Sequence, residues 1–173
     1  MHLNPIVSEC IPIDFSIALD SSGSVQYMGW QKMLKFSRDL IDRMTLSPAC
    51  AKASMISFGT HADVYSRLDQ HTDRTSLYNV IMMMPFKDQW TNTGDAFKKM
   101  TDVVYVTSNG DRSDKPNVAL VVTDGESNRN PETTLPNAQV NTLSFLHHGQ
   151  ATCLEEIMLA SRMLYRCFKI SYV

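Results

Sequence analysis

No stretch of this chain is apolar for anything near the roughly 20 residues needed to cross a bilayer. The charge is not one-sided either. The net value is −2 and no run of basic residues occurs, so nothing favours a nucleic acid held by bulk electrostatics. Low-complexity tracts and internal repeats are also missing. Met1 to Cys10 contains no Lys or Arg and no long apolar core, so it does not read as a secretory signal. That leaves open a cytosolic protein or a piece of a longer extracellular chain. The histidines His61, His71, His147 and His148 lack zinc-like spacing.

What remains is ordinary globular material. The 173 residues suffice for one domain with a proper core, and 43 % hydrophobic with 20 % charged residues is normal usage. The eleven Met residues read as core filler. The four cysteines, Cys10, Cys50, Cys153 and Cys167, permit three pairings. Free buried thiols are equally open, because disulfides depend on compartment.

The pattern along the chain alternates strand and helix. Ile11 to Asp20 (IPIDFSIALD) is an apolar run ending in the turn and cap residues Ser21-Ser22-Gly23-Ser24. Met33, Leu34, Ser37, Leu40, Ile41 and Met44 recur at helical spacing, and Pro48 lies beyond that helix. Ala53 to Phe58 and Ala62 to Arg67 form a hairpin pattern across Gly59-Thr60. Thr75 to Met83 reads as a helix, Pro85 to Trp90 as a loop, and Gly94 opens a further helix with Ala96, Phe97, Met100, Val103 and Val104 on one face. Asn117 to Thr123 (NVALVVT) does not alternate, which suits a central parallel strand buried on both faces.

This order predicts an α/β, doubly wound, mostly parallel sheet with one antiparallel edge strand and helices on both faces. Ligands of such sheets bind beyond the carboxyl ends of the strands, near a switch in strand order. Asp20 and Asp124 each end a strongly apolar strand, so their loops are where function is expected.

Asp20-Ser21-Ser22-Gly23-Ser24 is a D-x-S-x-S pattern with one carboxylate and two alternate hydroxyls in five residues. Hard cations such as Mg²⁺ take oxygen ligands and keep several waters. The plainer alternative is that Ser22 or Ser24 only caps the helix. A phosphatase that forms an aspartyl-phosphate wants a second Asp two residues on, where this chain has Ser22. Ser24 is not in a G-x-S-x-G elbow.

Trp90-Thr91-Asn92-Thr93-Gly94-Asp95 and Val121-Val122-Thr123-Asp124-Gly125-Glu126-Ser127 follow in order. Together with D-x-S-x-S they resemble the von Willebrand factor A family, of the matrix or collagen-associated and integrin inserted-domain kinds. Its metal-ion-dependent adhesion site combines D-x-S-x-S, a Thr in a T-x-T-G-like turn and an Asp in a T-D-G turn. The resemblance implies that Ser22 and Ser24 bind a Mg²⁺ or Mn²⁺ ion directly. Thr91 would be the third hydroxyl, direct when ligand is bound, with Thr93 the weaker candidate. Asp20 and Asp124 would act through waters or hydrogen bonds to the hydroxyls. Trp90 and Glu126 are candidate ligand contacts, with Glu126 tuning its loop.

A cation held mostly by neutral hydroxyls keeps much of its charge, and an open position then favours an anionic oxygen. The resemblance therefore implies a protein-binding domain, not an enzyme, whose ligand presents an acidic side chain. Collagen or another matrix protein is the expected partner, in a secreted, extracellular setting. An intracellular interaction scaffold and a structural domain with a non-functional site are the alternatives. A Cys10–Cys167 bridge, closing the two ends, would mark the extracellular one.

The expected organisation is a lead-in over 1–10, the domain over 11–138, and a divergent segment over 139–173. Asn130 to Ala138 resembles the start of the next family helix. Beyond it Leu154 to Phe168 reads as one helix. The sheet is thus expected to be incomplete at its C-terminal edge, a liability for stability and aggregation.

Overall fold

The computed structural model describes residues 10–125, 127–129, 143–145 and 165–170. Its elements are β1 (Asp14–Asp20), α1 (Gln26–Ile41), β2 (Lys52–Phe58), β3 (Ala62–Ser66), α2 (Arg74–Met83), α3 (Thr93–Lys99), β4 (Asn117–Val122), β5 (Leu143–Phe145) and β6 (Tyr165–Ile170). Glu126, the helix expected from Asn130, His147, His148, Cys153 and residues 154–164 lie outside the described residues.

One sheet carries the fold, in the order β3-β2-β1-β4-β6-β5. β1 pairs in parallel with β2 on one side and β4 on the other. All seven residues of β1 are buried, which is why its apolar run does not alternate. Its faces serve two cores. Phe15, Ile17 and Leu19 pack with Trp30, Met33 and Ile41 of α1 and Leu77 and Ile81 of α2. Ala18 faces the other way, with Ile56, Phe58, Phe97 and Met100 under α3. The expected layers on both faces are therefore present, and β3 is an antiparallel edge strand.

Local chemistry fixes the helix starts. Asp73 caps α2 by accepting from the Ser76 N–H at 3.0 Å. Asn92 caps α3 by accepting from the Asp95 N–H at 3.1 Å, and the Asp95 carboxylate in turn holds the Ala62 N–H at 2.6 Å. α3 thereby starts against the β2–β3 hairpin and beside the loop that carries Thr91.

The C-terminal expectation needs correcting. Tyr165–Ile170 is a strand, not the end of a helix from Leu154. It pairs antiparallel with β4 along Asn117–Val122, and β5 pairs with it in turn. The edge of β4 therefore does not lack a partner. The reason is backbone demand: β4 offers a row of N–H and C=O groups that helical spacing in a distant segment does not satisfy.

The cysteine expectation is also overturned. Cys10 bonds Cys50, with Cα atoms 5.0 Å apart, and not Cys167. Register explains it. Asp14 lies opposite Lys52, so the segments entering β1 and β2 run side by side. Cys167 lies on β6, beyond β4 from β1. The bridge closes a separation of 40 residues. Chain entropy assigns such a loop about 4 kcal/mol. The double variant Cys10→Ser/Cys50→Ser is expected to unfold at clearly lower urea, by roughly 2–4 kcal/mol, and an unshifted midpoint would refute the contribution.

Candidate metal centre

The site lies where strand order reverses. β1 ends at Asp20 and β4 ends beside it, because Leu19 and Val122 are partners in the parallel register. Asp20 is fully buried. Its Oδ1 accepts the Ser22 N–H at 2.9 Å and its Oδ2 accepts the Thr123 hydroxyl at 2.6 Å. The Thr123 oxygen also receives the Gly125 N–H at 3.2 Å, which shapes the turn carrying Asp124. One carboxylate therefore sets both the β1 loop and the β4 loop.

The hydroxyls continue this chain. Ser22 Oγ and Ser24 Oγ are 3.0 Å apart, and Ser24 Oγ donates to Asp124 Oδ1 at 3.0 Å. Gln26 follows with a left-handed φ of 59°, turning the chain out of this loop and into α1.

Thr91 arrives on the loop between α2 and α3, which is laced to both neighbours. Gly23 N donates to Gln89 O at 2.9 Å, and Lys87 N donates to Ser21 Oγ at 2.7 Å. The Lys87 ammonium, 9 % exposed, pairs with Asp63 at 2.8 Å and reaches the Ser57 and His61 carbonyls. From the far side, Asn128 Oδ1 accepts the Thr91 N–H at 2.8 Å, and Thr91 O accepts the N–H groups of Asn128 and Arg129. No partner among the described residues takes up the Thr91 hydroxyl.

Ser22, Ser24 and Thr91 line one open cleft of about 470 Å³, with Asp88, Gln89, Trp90 and Asn128. Thr93 instead begins α3, where its N–H meets Ser127 Oγ at 3.3 Å. The structure thus brings Asp20, Ser22, Ser24, Thr91 and Asp124 together and sets Trp90 at the cleft wall, 61 % exposed.

Electrostatics favours a cation. Burial pushes the Asp20 carboxyl above its ordinary range, against the lowering effect of the Thr123 and Ser22 hydrogen bonds, and nearby Asp124 pushes it further up. No Lys or Arg pairs with Asp20 or Asp124 among the described residues. Nor does any group of three or more His, Cys, Asp or Glu side chains form a metal cluster there. A donor set of hydroxyls and two carboxylates fits a hard, oxygen-seeking divalent ion.

Thr123 and Asn128 escaped the residue-by-residue reading. Thr123 stands inside the T-D-G turn, but its bond to Asp20 depends on the β1–β4 pairing. Asn128 has no motif of its own, and only its contact with Thr91 marks it.

A family model, the von Willebrand factor type A domain, matches residues 14–164. The chain belongs to that family. Among curated relatives of this von Willebrand factor type A chain, human Matrilin-3 is 26 % identical over 136 residues, covering 77 % of this chain and 26 % of the relative. The rat von Willebrand factor A domain-containing protein 1 is 26 % identical over 151 residues, covering 86 % and 36 %. The chain thus spans only about a quarter to a third of their length. Among solved structures, proximal thread matrix protein 1 from the mussel byssus superposes with a TM-score of 0.68 at 21 % identity, covering 76 % of this chain and 36 % of that one. The manganese-loaded TRAP protein of Plasmodium vivax gives 0.64 at 21 % identity, covering 73 % and 51 %. At that identity the likeness is one of fold.

Proposed function

We propose that this domain binds a protein ligand through a divalent ion, Mg²⁺ or Mn²⁺. Ser22, Ser24 and Thr91 hold the ion through their hydroxyls. Asp20 and Asp124 act through waters or through the hydroxyls they hydrogen-bond. The observation that carries this reading is the buried Asp20 carboxylate, unpaired with any Lys or Arg among the described residues and joined to the Ser22–Ser24–Asp124 chain. A desolvated carboxylate without a cation is costly unless a cation completes it.

The ion supplies a positive charge damped little by its neutral ligands. The chain's own residues then orient what approaches: the Asn128–Thr91 bonds hold one cleft wall, and the Asp20–Thr123 bond holds the floor. The ligand contributes an acidic side chain, with Trp90 beside it. Collagen or another matrix protein is the partner class we favour. The work of the site is binding rather than catalysis.

Three findings support this setting. The relatives include matrilins. The mussel neighbour, a thread matrix protein, has been solved with zinc in its metal-ion-dependent adhesion motif, and the Plasmodium neighbour with manganese. Cys10 and Cys50 are bonded, which suits an oxidising, extracellular compartment.

The test is calorimetric titration of Mn²⁺ and Mg²⁺ into the purified chain beside Asp124→Ala. One saturable site, lost in the variant, is the expected result. Capture of collagen in Mn²⁺, abolished by chelator, is the expected second result. A chain that is folded by circular dichroism yet takes up neither ion refutes the proposal.

A further inference from the structure

The ion proposed above draws its hydroxyls from two separate loops. Ser22 and Ser24 follow β1, whereas Thr91 lies between α2 and α3. A divalent ion such as Mg²⁺ demands near-octahedral geometry at about 2.0–2.1 Å. A drift of about half an ångström between the loops is enough to spoil such a site. Each loop must therefore be fixed against the other before an ion arrives.

Ser21 ties them together. It stands between Asp20 and Ser22 in the chain and is fully buried. Its hydroxyl accepts the Lys87 N–H at 2.7 Å and donates to the Pro85 carbonyl at 3.3 Å, both on the segment that leads to Thr91. Its own N–H donates to the Phe58 carbonyl at 2.7 Å, at the end of β2. One small side chain thus joins the β1 loop to the segment ahead of Thr91, on a backbone already fixed to β2.

Lys87 anchors that segment from the other side. Its side chain is only 9 % exposed, and its ammonium pairs with Asp63 at 2.8 Å. The same ammonium donates to the Ser57 carbonyl at 3.2 Å and the His61 carbonyl at 3.1 Å. Three acceptors meet the three protons of the group. A buried ammonium is costly without such partners, so residue 87 has little freedom to leave the β2–β3 hairpin. Beyond Lys87, the Gly23 N–H bond to Gln89 and the Asn128 bond to Thr91 carry the alignment on to the cleft.

We propose that Ser21 and Lys87 form one positioning strap. The ammonium fixes residue 87 to the hairpin, and the Ser21 hydroxyl fixes it to the β1 loop, so that Ser22, Ser24 and Thr91 meet at one ion. Neither residue ligates the ion. A chain that holds the aligned arrangement only part of the time binds with its affinity reduced by that fraction. This inference rests on the metal-dependent binding proposed above and names the residues that set its strength without touching the ion.

The test is calorimetric titration of Mn²⁺ into the parent, Ser21→Ala, Lys87→Met, Lys87→Arg and the double variant Ser21→Ala/Lys87→Met. Each is titrated well below its melting temperature measured in chelator. A residue that only stabilises the fold lowers that temperature and leaves the affinity of the folded chain unchanged. Ser21→Ala and Lys87→Met should each weaken Mn²⁺ binding by about three- to ten-fold, the range of one or two hydrogen bonds. The double variant should lose little more than the weaker-binding single variant, because both changes loosen the same strap. Lys87→Arg should recover most of the loss, since a guanidinium donates to the same acceptors. Unchanged affinity in a folded Ser21→Ala overturns the strap. So do fully additive losses, and so does complete loss of binding in Ser21→Ala, which would make Ser21 a ligand. Should Lys87→Met not fold, Ser21→Ala and Lys87→Arg decide the matter alone. If the folded parent takes up no Mn²⁺, the metal-dependent reading itself fails and the strap with it.

Discussion

Asp20→Asn is expected to abolish the response to metal while leaving the metal-free domain at least as stable as its parent. The two effects have one cause. Asp20 is a fully buried carboxylate whose charge is opposed by burial and by Asp124. An asparagine has the same shape and removes the charge. Its oxygen still accepts the Ser22 N–H, and the Thr123 hydroxyl can turn its proton to the Gly125 carbonyl, 3.0 Å away. In the parent, a metal at about 100 times its dissociation constant adds about 2.7 kcal/mol. For a domain of this size that corresponds to a rise of roughly 5–10 °C in melting temperature. The variant should show no rise at the same Mn²⁺ concentration. Differential scanning fluorimetry with and without Mn²⁺ reads both effects. A variant that still gains several degrees with metal would remove Asp20 from the site.

Arg112→Met is expected to cost about 3–5 kcal/mol, the usual penalty for stranding a buried charge. Arg112 lies at the end of the sheet opposite the metal loops. Its Nε and backbone N hold the two oxygens of Asp14 at 2.8 and 2.6 Å. Nη2 reaches the carbonyls of Ile13 and Cys50, and Nη1 that of Pro48. Asp14 is fully buried while the Arg112 side chain is 15 % exposed, so removing the guanidinium leaves a buried anion that keeps the backbone N–H of residue 112 but loses its cation. Such a loss is a large part of the total stability of a domain. The double variant Asp14→Leu/Arg112→Met should be less destabilised than Arg112→Met alone, since it removes the stranded charge. Urea denaturation measures both. Additive losses would show that the pair is not the source of the cost.

The core of the sheet and most of the metal loop were legible because their signals are local. β1 and β4 are apolar without alternation, and each ends in a carboxylate followed by turn residues. Ser22 and Ser24 announce themselves by spacing alone. What was not legible depends on register or pairing. The partner of Cys10 follows from the parallel alignment of Asp14 with Lys52, and no count of cysteines contains that. The strand at Tyr165–Ile170 begins inside the Leu154 to Phe168 spacing that also suits a helix, and its pairing with β4 decides it. Thr123 and Asn128 matter through one hydrogen bond each, to Asp20 and Thr91.

The Cys10–Cys50 bridge has a mechanical side. A pull applied ahead of Cys10 meets the sulfur link before it meets β1. The load passes covalently to the start of β2 and bypasses everything between the two cysteines. That bypassed stretch contains β1, Asp20, Ser22, Ser24 and all of α1. Three of the five residues proposed for the ion, Asp20, Ser22 and Ser24, therefore sit outside the load path, in a stretch that such a pull does not peel from the sheet.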